Sequence, residues 1–259
     1  MPTQQSAHEL HNAPHIRVQN LTMTYGDLVI QRDLNFTVNH GDVFIIMGGS
    51  GSGKTTLLKH MIGLKPPVSG DIYFNTTNFW ALAQAQQRQM KRRFGIMFQG
   101  GALWSSMTLA ENVALPLGEY TDLSAEEIED VVSLKLMLVG LSGFEDYYPA
   151  ELSGGMRKRA SLARAIALDP EILFFDEPSA GLDPINARRL DELILEIRDS
   201  LGTTIVIVTH ELASIFAVGN NSIFLDTEEK TIIASGDPNI LRDSCPDKRV
   251  REFLNRGTL

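Results

Sequence analysis

A phosphate-loop pattern constrains the fold of this chain more than any other feature. The segment Gly48-Gly49-Ser50-Gly51-Ser52-Gly53-Lys54-Thr55 matches G-x-x-x-x-G-K-[ST] in full. It follows the apolar run Val43–Met47 and precedes the apolar, helix-like run Leu57–Ile62. Glycines let backbone N–H groups turn toward phosphate oxygens, Lys54 adds a positive charge, and the Thr55 hydroxyl can bind Mg²⁺. The sequence therefore predicts a strand–loop–helix unit that binds a nucleotide.

A second apolar run ends in two carboxylates. Ile172–Phe175 is directly followed by Asp176 and Glu177. We expect Asp176 to hold Mg²⁺, as a Walker-B residue does, and Glu177 to polarise the attacking water as a general base. A strand that simply ends in polar residues is the alternative, but an Asp-Glu pair downstream of a phosphate loop favours catalysis.

A serine and two glycines stand between these two halves. In Leu152-Ser153-Gly154-Gly155-Met156, Ser153 can cap the following helix, and the glycines allow phosphate to approach the helix N-terminus. Taken alone, the segment is equally compatible with an ordinary N-cap. Its place in the chain order resembles the ATP-binding-cassette (ABC) ATPase family, whose signature is usually LSGGQ. The resemblance extends from about Ile16 to Gly236.

The resemblance implies roles for four further residues. Tyr25 matches the aromatic residue that stacks on adenine, and Gln99 matches the Q-loop glutamine that senses Mg²⁺ and water. Asp183 closes the D-loop match Ser179–Asp183, and His210 matches the switch histidine near the γ-phosphate. Read individually, Tyr25 and His210 could be a core aromatic and a histidine at a strand end.

The resemblance also implies a head-to-tail dimer. Each ATP lies between the phosphate loop of one copy and the Ser153–Gly155 segment of the other, so a second copy of the chain completes the site. The catalytic expectation rests on Glu177, His210 and Gln99, and the Mg²⁺ expectation on Thr55, Gln99 and Asp176. The residues expected to bind ATP are Tyr25, Gly48, Gly49, Ser50, Gly51, Ser52, Gly53, Lys54, Thr55, Thr56, Ser153, Gly154, Gly155 and Asp183.

The hydrophobic patterning predicts an α/β fold. Dense apolar runs at Val43–Met47, Ile172–Phe175 and Ile205–Val208 indicate strands covered on both faces, as in a parallel sheet. Ile223–Leu225 and Thr231–Ala234 are typical of a late hairpin. Together with the family resemblance, this patterning implies a P-loop NTPase core of the ABC ATPase type, with an inserted helical subdomain and antiparallel β elements.

Helix signals place the insertion in the middle of the chain. Thr108 with Glu111, and Ser124 with Glu127, have the spacing of capping boxes. The domain boundaries follow as a flexible tail over 1–14, an ABC ATPase domain over 15–236 with its helical subdomain at about 100–168, and a C-terminal extension over 237–259.

Composition excludes several classes of function. The 23 Lys and Arg residues against 32 Asp and Glu give a net charge of −9, which disfavours nucleic acid as a partner. A single cysteine, Cys245, cannot close an intrachain disulfide. No apolar stretch approaches the roughly 20 residues that span a bilayer, and the polar N-terminus lacks a signal-peptide core. Any membrane role is therefore expected to come through a partner.

Three stretches resemble the ATPase of the mammalian-cell-entry (MCE) lipid transport systems, especially the maintenance-of-lipid-asymmetry branch. These are Leu57–Leu64, the methionine-containing signature Leu152–Arg159, and Asp247–Leu254. The resemblance implies transport of phospholipid between inner and outer membranes. It also implies permease subunits, MCE-domain lipid-binding subunits, a STAS-domain regulator, and a location on the cytoplasmic face of the bacterial inner membrane. We expect Gln99, Trp104 and Met107 to contact the permease.

Two alternatives stay open at this point. A soluble ABC ATPase of iron–sulfur cluster assembly has similar length and motifs and needs no permease. An importer for an amino acid or ion, or an exporter, would carry the same catalytic motifs. A translation-factor type would need two cassettes and a DNA-repair type a long coiled coil, so neither fits 259 residues.

Overall fold

The structure is a computed structural model that describes residues 14–256. The flexible tail expected over 1–14 falls outside the described residues except for Pro14, as do the last three residues of the 237–259 extension. The strands are β1 Ile16–Tyr25, β2 Leu28–Val38, β3 Val43–Gly48, β4 Ser69–Phe74, β5 Thr77–Asn78, β6 Phe94–Met97, β7 Ile172–Asp176, β8 Thr204–Val208, β9 Asn221–Leu225 and β10 Ile232–Ser235. The α-helices are α1 Lys54–Met61, α2 Gln84–Lys91, α3 Leu109–Tyr120, α4 Ala125–Leu138, α5 Gly154–Ala165, α6 Pro184–Leu201, α7 Leu212–Val218, α8 Pro238–Ser244 and α9 Lys248–Leu254.

The chain forms two compact units. The N/C unit comprises the residues up to Gln89 together with those from Gly219 onward, and the central unit comprises Met90–Val218. In the N/C unit, β2, β1, β4 and β5 form an antiparallel sheet in that order. Also in this unit, β3 pairs with β9 in parallel, and β9 pairs with β10 antiparallel.

Alternating and continuous burial explain the strands of the N/C unit. In β1, Ile16, Val18, Leu21 and Met23 are buried, and the register shift between Val18 and Leu21 coincides with Asn20 at φ 48°. That shift keeps the apolar side chains on one face across the irregularity. Every residue of β3 is buried, as the dense apolar run predicts. The late hairpin prediction is confirmed by β9 and β10.

The central unit is built on three parallel strands, with β7 between β6 and β8. All residues of β7 and β8 are buried, which confirms the sequence interpretation of Ile172–Phe175 and Ile205–Val208. Both predicted capping boxes are present, at the starts of α3 and α4. These helices and α5 lie inside the range predicted for the helical insertion, whose independence as a subdomain stays a prediction. Within residues 14–256, no helix is both long and apolar enough to cross a bilayer.

Candidate functional site

The phosphate loop joins β3 to α1 in the N/C unit. Gly53 is the N-cap of α1 with φ 91°, and no side chain caps the helix. Because an uncapped N-terminus carries backbone N–H groups and the positive end of the helix dipole, it suits an anion. The loop residues predicted to bind nucleotide, from Gly48 to Thr56, lie together at this helix start, and nucleotide binding by them stays a prediction.

Two of these glycines are required by close approaches. Gly48 has φ 148°, and a Cβ there would lie 2.4 Å from the Leu225 carbonyl oxygen. At Gly53 a Cβ would lie 2.6 Å from the Ile30 side chain. Since Cβ atoms do not approach other heavy atoms this closely, and both φ values are positive, no other residue fits without moving the loop.

Lys54 spans the loop that it belongs to. Its Nζ donates to the carbonyl oxygens of Gly48 (2.9 Å) and Gly49 (3.0 Å). The ammonium is thereby held over the concave side of the loop, where a phosphate approaching the backbone N–H groups would meet it. Phosphate binding by Lys54 stays a prediction.

The candidate adenine platform, Tyr25, ends β1 and is 76% exposed. Lys65 Nζ lies 4.8 Å from the Tyr25 ring centroid and donates to the Thr24 carbonyl oxygen at 2.6 Å. A cation over one ring face leaves the other face for a stacking partner and restricts rotation of the ring. Sequence reasoning missed Lys65, because nothing in its local pattern points to Tyr25.

In the central unit, the Asp-Glu pair lies at the carboxyl end of β7. Both side chains belong to buried residues, and Glu177 has φ 49°. Its backbone N–H donates to Val208 at 2.8 Å, which continues the ladder to β8 past the end of β7. A glutamate in the left-handed region is strained, and such strain concentrates at functional sites.

The candidate base and the switch histidine are in direct contact. His210 Nδ1 lies 2.7 Å from Glu177 Oε1. The second carboxylate oxygen, Glu177 Oε2, is buried and has no hydrogen-bond partner among residues 14–256. One oxygen is thus held by the imidazole, while the other keeps its acceptor capacity for a water.

A buried lysine joins the Q-loop to this pair. Lys158 Nζ, on α5, donates to the carbonyl oxygens of Gln99 (2.6 Å) and Glu177 (3.3 Å). Burial lowers the pKa of the Lys158 ammonium, and the charges of Glu177 and Asp176 act in the opposite direction. Sequence reasoning missed Lys158 as a site residue, because a lysine after the signature is typical of an exposed helix face.

The central unit also has a groove of about 210 Å³ where the Q-loop, signature and D-loop meet. It brings together the predicted residues Gln99 and Gly154. Its lining residues are Gln99, Gly100, Gly101, Gly154, Arg157, Lys158, Ala180, Gly181 and Leu182.

Two further predicted residues of this unit, Ser153 and Asp183, are helix N-caps. Ser153 Oγ accepts from the Met156 N–H at 3.3 Å and caps α5. Asp183 caps α6, and hydrogen bonds from Asn186 lower the pKa of the Asp183 carboxyl. A Cβ on Gly155 would lie 3.3 Å from Asn186. The starts of α5 and α6 are therefore packed on each other.

The donor chemistry fits Mg²⁺. Asp176 offers a hard carboxylate at a strand end, and Thr55 offers a hydroxyl in the first turn of α1. Magnesium takes one or two such protein ligands and completes its shell with phosphate oxygens and water. In the described part of the chain, no group of three or more His, Cys, Asp or Glu residues could hold a metal without a nucleotide.

Taken with the α/β fold, the loop at Gly48–Thr56 and the Glu177–His210 pair define a P-loop ATPase. Comparison with known proteins gives its family. The ABC transporter family model matches residues 31–180, more than half of the chain, and the chain belongs to that family. It is an ATPase that uses ATP with Mg²⁺.

Two relatives show which kinds of transport protein the chain is similar to. The chain is 40% identical over 240 residues to the intermembrane phospholipid transport system ATP-binding protein MlaF of Escherichia coli K12, covering 93% of this chain and 88% of that protein. It is 41% identical over 240 residues to the probable ribonucleotide transport ATP-binding protein mkl of Mycobacterium tuberculosis H37Rv. That match covers 93% of this chain and 66% of the mycobacterial protein, so the chain spans just under two thirds of the latter.

Solved structures confirm the fold. The dimeric post-hydrolysis structure of the ATP-binding cassette MJ0796 bound to ADP and Pi has a TM-score of 0.78 and 29% identity, covering 86% of this chain and 98% of that one. The cbiO1 structure from Clostridium perfringens, part of the cbiONQ transporter complex, has a TM-score of 0.81 and 27% identity, covering 95% and 96%. The predicted α/β cassette fold is confirmed.

Proposed function

We propose that this chain is the ATP-hydrolysing subunit of a transporter that moves phospholipid between the inner and outer membranes. The observation that carries the proposal is 40% identity to the E. coli phospholipid-transport ATP-binding protein over 93% of the chain. The Glu177–His210 contact supplies the chemistry such a subunit needs.

Each part of the site has a defined task in this proposal. Lys54 and the loop N–H groups bind the phosphates. Asp176 and Thr55 would each serve as a ligand for Mg²⁺, which would neutralise charge on the phosphates. Glu177 Oε2 accepts a proton from the attacking water, while His210 fixes Oε1 and thus the orientation of the carboxylate. Gln99, whose carbonyl is held by Lys158, lines the same groove as the signature glycine Gly154.

A second copy of the chain completes the site. We propose a head-to-tail dimer in which Ser153–Gly155 of one copy contacts the nucleotide bound to the phosphate loop of the other. The dimeric MJ0796 cassette supports this arrangement. ATP binding closes the dimer, and hydrolysis with phosphate release opens it.

The permease contact is proposed at Trp104, on the loop between β6 and α3. Trp104 is 57% exposed, and its backbone is fixed by the buried Asn112 through bonds of 2.8 Å and 3.1 Å. An exposed aromatic on a rigid loop suits a protein interface. Gln99 and Met107 are proposed as neighbouring contacts. Through the permease the chain lies on the cytoplasmic face of the inner membrane, with MCE-domain subunits and a STAS-domain regulator as further partners.

Glu177→Gln tests the chemistry. This variant keeps the shape of the side chain and removes the base, so we expect it to bind ATP, lose at least about a hundredfold in turnover, and form an ATP-dependent dimer on a sizing column. Glu196→Gln is the matched control, because it removes an exposed carboxylate of α6 and should turn over ATP normally. Normal hydrolysis by Glu177→Gln would remove Glu177 from its proposed role.

The transported substrate and the partner proteins are tested by a separate experiment. Tagged protein is recovered from detergent-solubilised native membranes, and copurifying proteins and small molecules are identified by mass spectrometry. A polytopic permease, an MCE-domain protein and bound phospholipid support the proposal. The name of the mycobacterial relatives makes ribonucleotide transport the second candidate, and a copurifying ribonucleotide other than ATP or ADP, with no lipid, would favour it. Recovery of soluble cluster-assembly proteins alone would contradict both.

A further inference from the structure

One glutamine in the N/C unit is buried without being part of any motif. Gln31, on β2, is fully buried, whereas the other buried residues of that strand, such as Leu34, are apolar. Its Nε2 donates to the carbonyl oxygen of Ser52 in the phosphate loop and to that of Asp226, each at 2.8 Å. Because both partners are carbonyl acceptors, the amide nitrogen must face them, which fixes the side-chain orientation.

The phosphate loop has few other bonds that fix Ser52. The Ser52 N–H reaches the Gly49 carbonyl at a long 3.3 Å, and Ser52 Oγ is buried with no hydrogen-bond partner among the described residues. A loop with several glycines loses much conformational freedom when it orders around phosphate. A donor that holds the loop in its bound shape beforehand reduces that cost and raises affinity.

Asp226 continues the connection to the C-terminal helix. Its Oδ1 accepts from the N–H groups of Glu228 (2.9 Å) and Glu229 (2.8 Å), which sets the turn after β9. Arg249, on α9, reaches the same Oδ1 at 3.3 Å and also contacts Glu229 at 2.6 Å and Asp247 at 2.7 Å. One guanidinium therefore joins the helix to the residue that Gln31 binds.

Helix α9 is anchored firmly enough to act as a support. Val250, Phe253 and Leu254 are buried. The ring of Phe253 packs edge to face on that of Phe224 of β9, with the ring centroids 5.1 Å apart. Packing of this kind gives α9 a defined position relative to the turn that carries Asp226. The contacts form an unbroken series from the phosphate loop to the C-terminal helix, all within one unit.

We infer that Gln31 is a positioning residue for the phosphate loop, and that Asp226 and Arg249 fix Gln31 against helix α9, so that the C-terminal helix contributes to nucleotide affinity. The inference rests on nucleotide binding by the phosphate loop, and it assigns the hairpin turn and α9 a part in that binding. In this inference Gln31, Asp226 and Arg249 act through the Ser52 carbonyl and not through contacts of their own with the nucleotide.

The test measures the affinity of the purified full chain for ADP with Mg²⁺ by titration calorimetry, together with the melting temperature. Gln31→Met keeps the volume and removes the donor, leaving two buried carbonyls unpaired, and we expect affinity to fall about tenfold. Arg249→Gln should lower affinity about threefold, because the support weakens while the Gln31 bond remains. In the double variant the loss should equal that of Gln31→Met alone, since the connection is already broken at Gln31.

Two controls separate positioning from general stability. Lys248→Ala removes the exposed Lys248–Glu252 ion pair of α9 and should bind ADP normally. Leu34→Ala makes a cavity on the strand of Gln31 and should lower the melting temperature with no loss of affinity. If Gln31→Met melts early but binds ADP as the wild type does, Gln31 is merely structural and the inference is wrong. If the affinity losses of Gln31→Met and Arg249→Gln add in the double variant, Arg249 does not act through Gln31 and that part of the inference is wrong.

Lys54→Ala distinguishes failure of this inference from failure of the proposed function. If Lys54→Ala binds weakly and Gln31→Met binds normally, only the role of Gln31 is refuted. If both bind ADP as the wild type does, the phosphate-loop assignment and the inference fall together.

Discussion

Replacing Asp191 by asparagine should stabilise the protein at neutral pH. Asp191 lies on α6 and is 5% exposed, and its Oδ2 accepts from Ser214 Oγ at 2.8 Å. Ser214 in turn lies 3.3 Å from Ser179 Oγ of the D-loop. Burial raises the pKa of Asp191 to about 6, because the charged form is poorly solvated there.

The size and sign of this stability change follow from the linkage between protonation of Asp191 and folding. A carboxyl whose pKa is higher in the folded state binds more protons there, so stability falls as pH rises from about 4 to about 6. The shift from 3.8 to about 6 corresponds to at most about 3 kcal/mol at neutral pH. Screening by nearby solvent reduces this, and we expect about 1–2 kcal/mol. Asparagine is neutral and still accepts from Ser214, so Asp191→Asn should recover that amount.

The assay is urea unfolding followed by circular dichroism, for wild type and Asp191→Asn, at several pH values between about 4 and about 8. The stability difference should be near zero at the acid end, where wild-type Asp191 is protonated, and should grow through about pH 6 to its full value. Glu196→Gln, an exposed acid on the same helix, is the control and should show no such pH dependence. A constant difference at all pH values, or a destabilised Asp191→Asn variant at about pH 8, would refute the reasoning.

Three further predictions concern the site and its partner. Lys65→Met should weaken ADP binding about threefold by releasing the Tyr25 ring, and unchanged affinity measured by calorimetry would contradict that role. Lys158→Met should lower kcat about tenfold with nucleotide affinity unchanged, because only the Gln99 and Glu177 carbonyls lose their donor, and a steady-state assay in which KM changes instead would refute it. Trp104→Ala should leave the ATPase activity of the purified chain intact and abolish recovery of the permease from membranes, and retained recovery would place the contact elsewhere.

Much of the fold was predictable because its signals are local. The runs at Val43–Met47 and Ile172–Phe175 are buried strands because continuous apolar sequence requires cover on both faces. The capping box at Thr108 depends on two residues three positions apart, and the structure contains both of its hydrogen bonds. Strands β4 and β5 were not predicted, since their half-exposed residues carry no strong alternation.

The candidate site could be predicted from the sequence where the residues of one motif are consecutive and form the local structure by themselves. The Gly48–Thr55 loop is written in consecutive residues, so its backbone geometry follows from the sequence. The contact between Glu177 and His210 joins residues 33 positions apart. The family resemblance implied that His210 lies near the γ-phosphate, but it did not predict this contact. The left-handed conformation of Glu177 has no signature in sequence, because a glutamate ordinarily avoids it.

The loops of the candidate site are held by hydrogen bonds from side chains to which no sequence motif gives this role. Examples of a side-chain donor that holds a loop through a backbone carbonyl are Gln31 to Ser52, Lys65 to Thr24, Lys158 to Gln99, and Asn112 to Trp104. A carbonyl acceptor is available at every residue, so such contacts leave no pattern on the acceptor's side of the sequence. They also leave the loop side chains available for nucleotide, water or a partner protein. Motif residues therefore specify the chemistry, while donors distant in sequence position it, and substitutions of these donors should alter affinity or turnover without changing any motif.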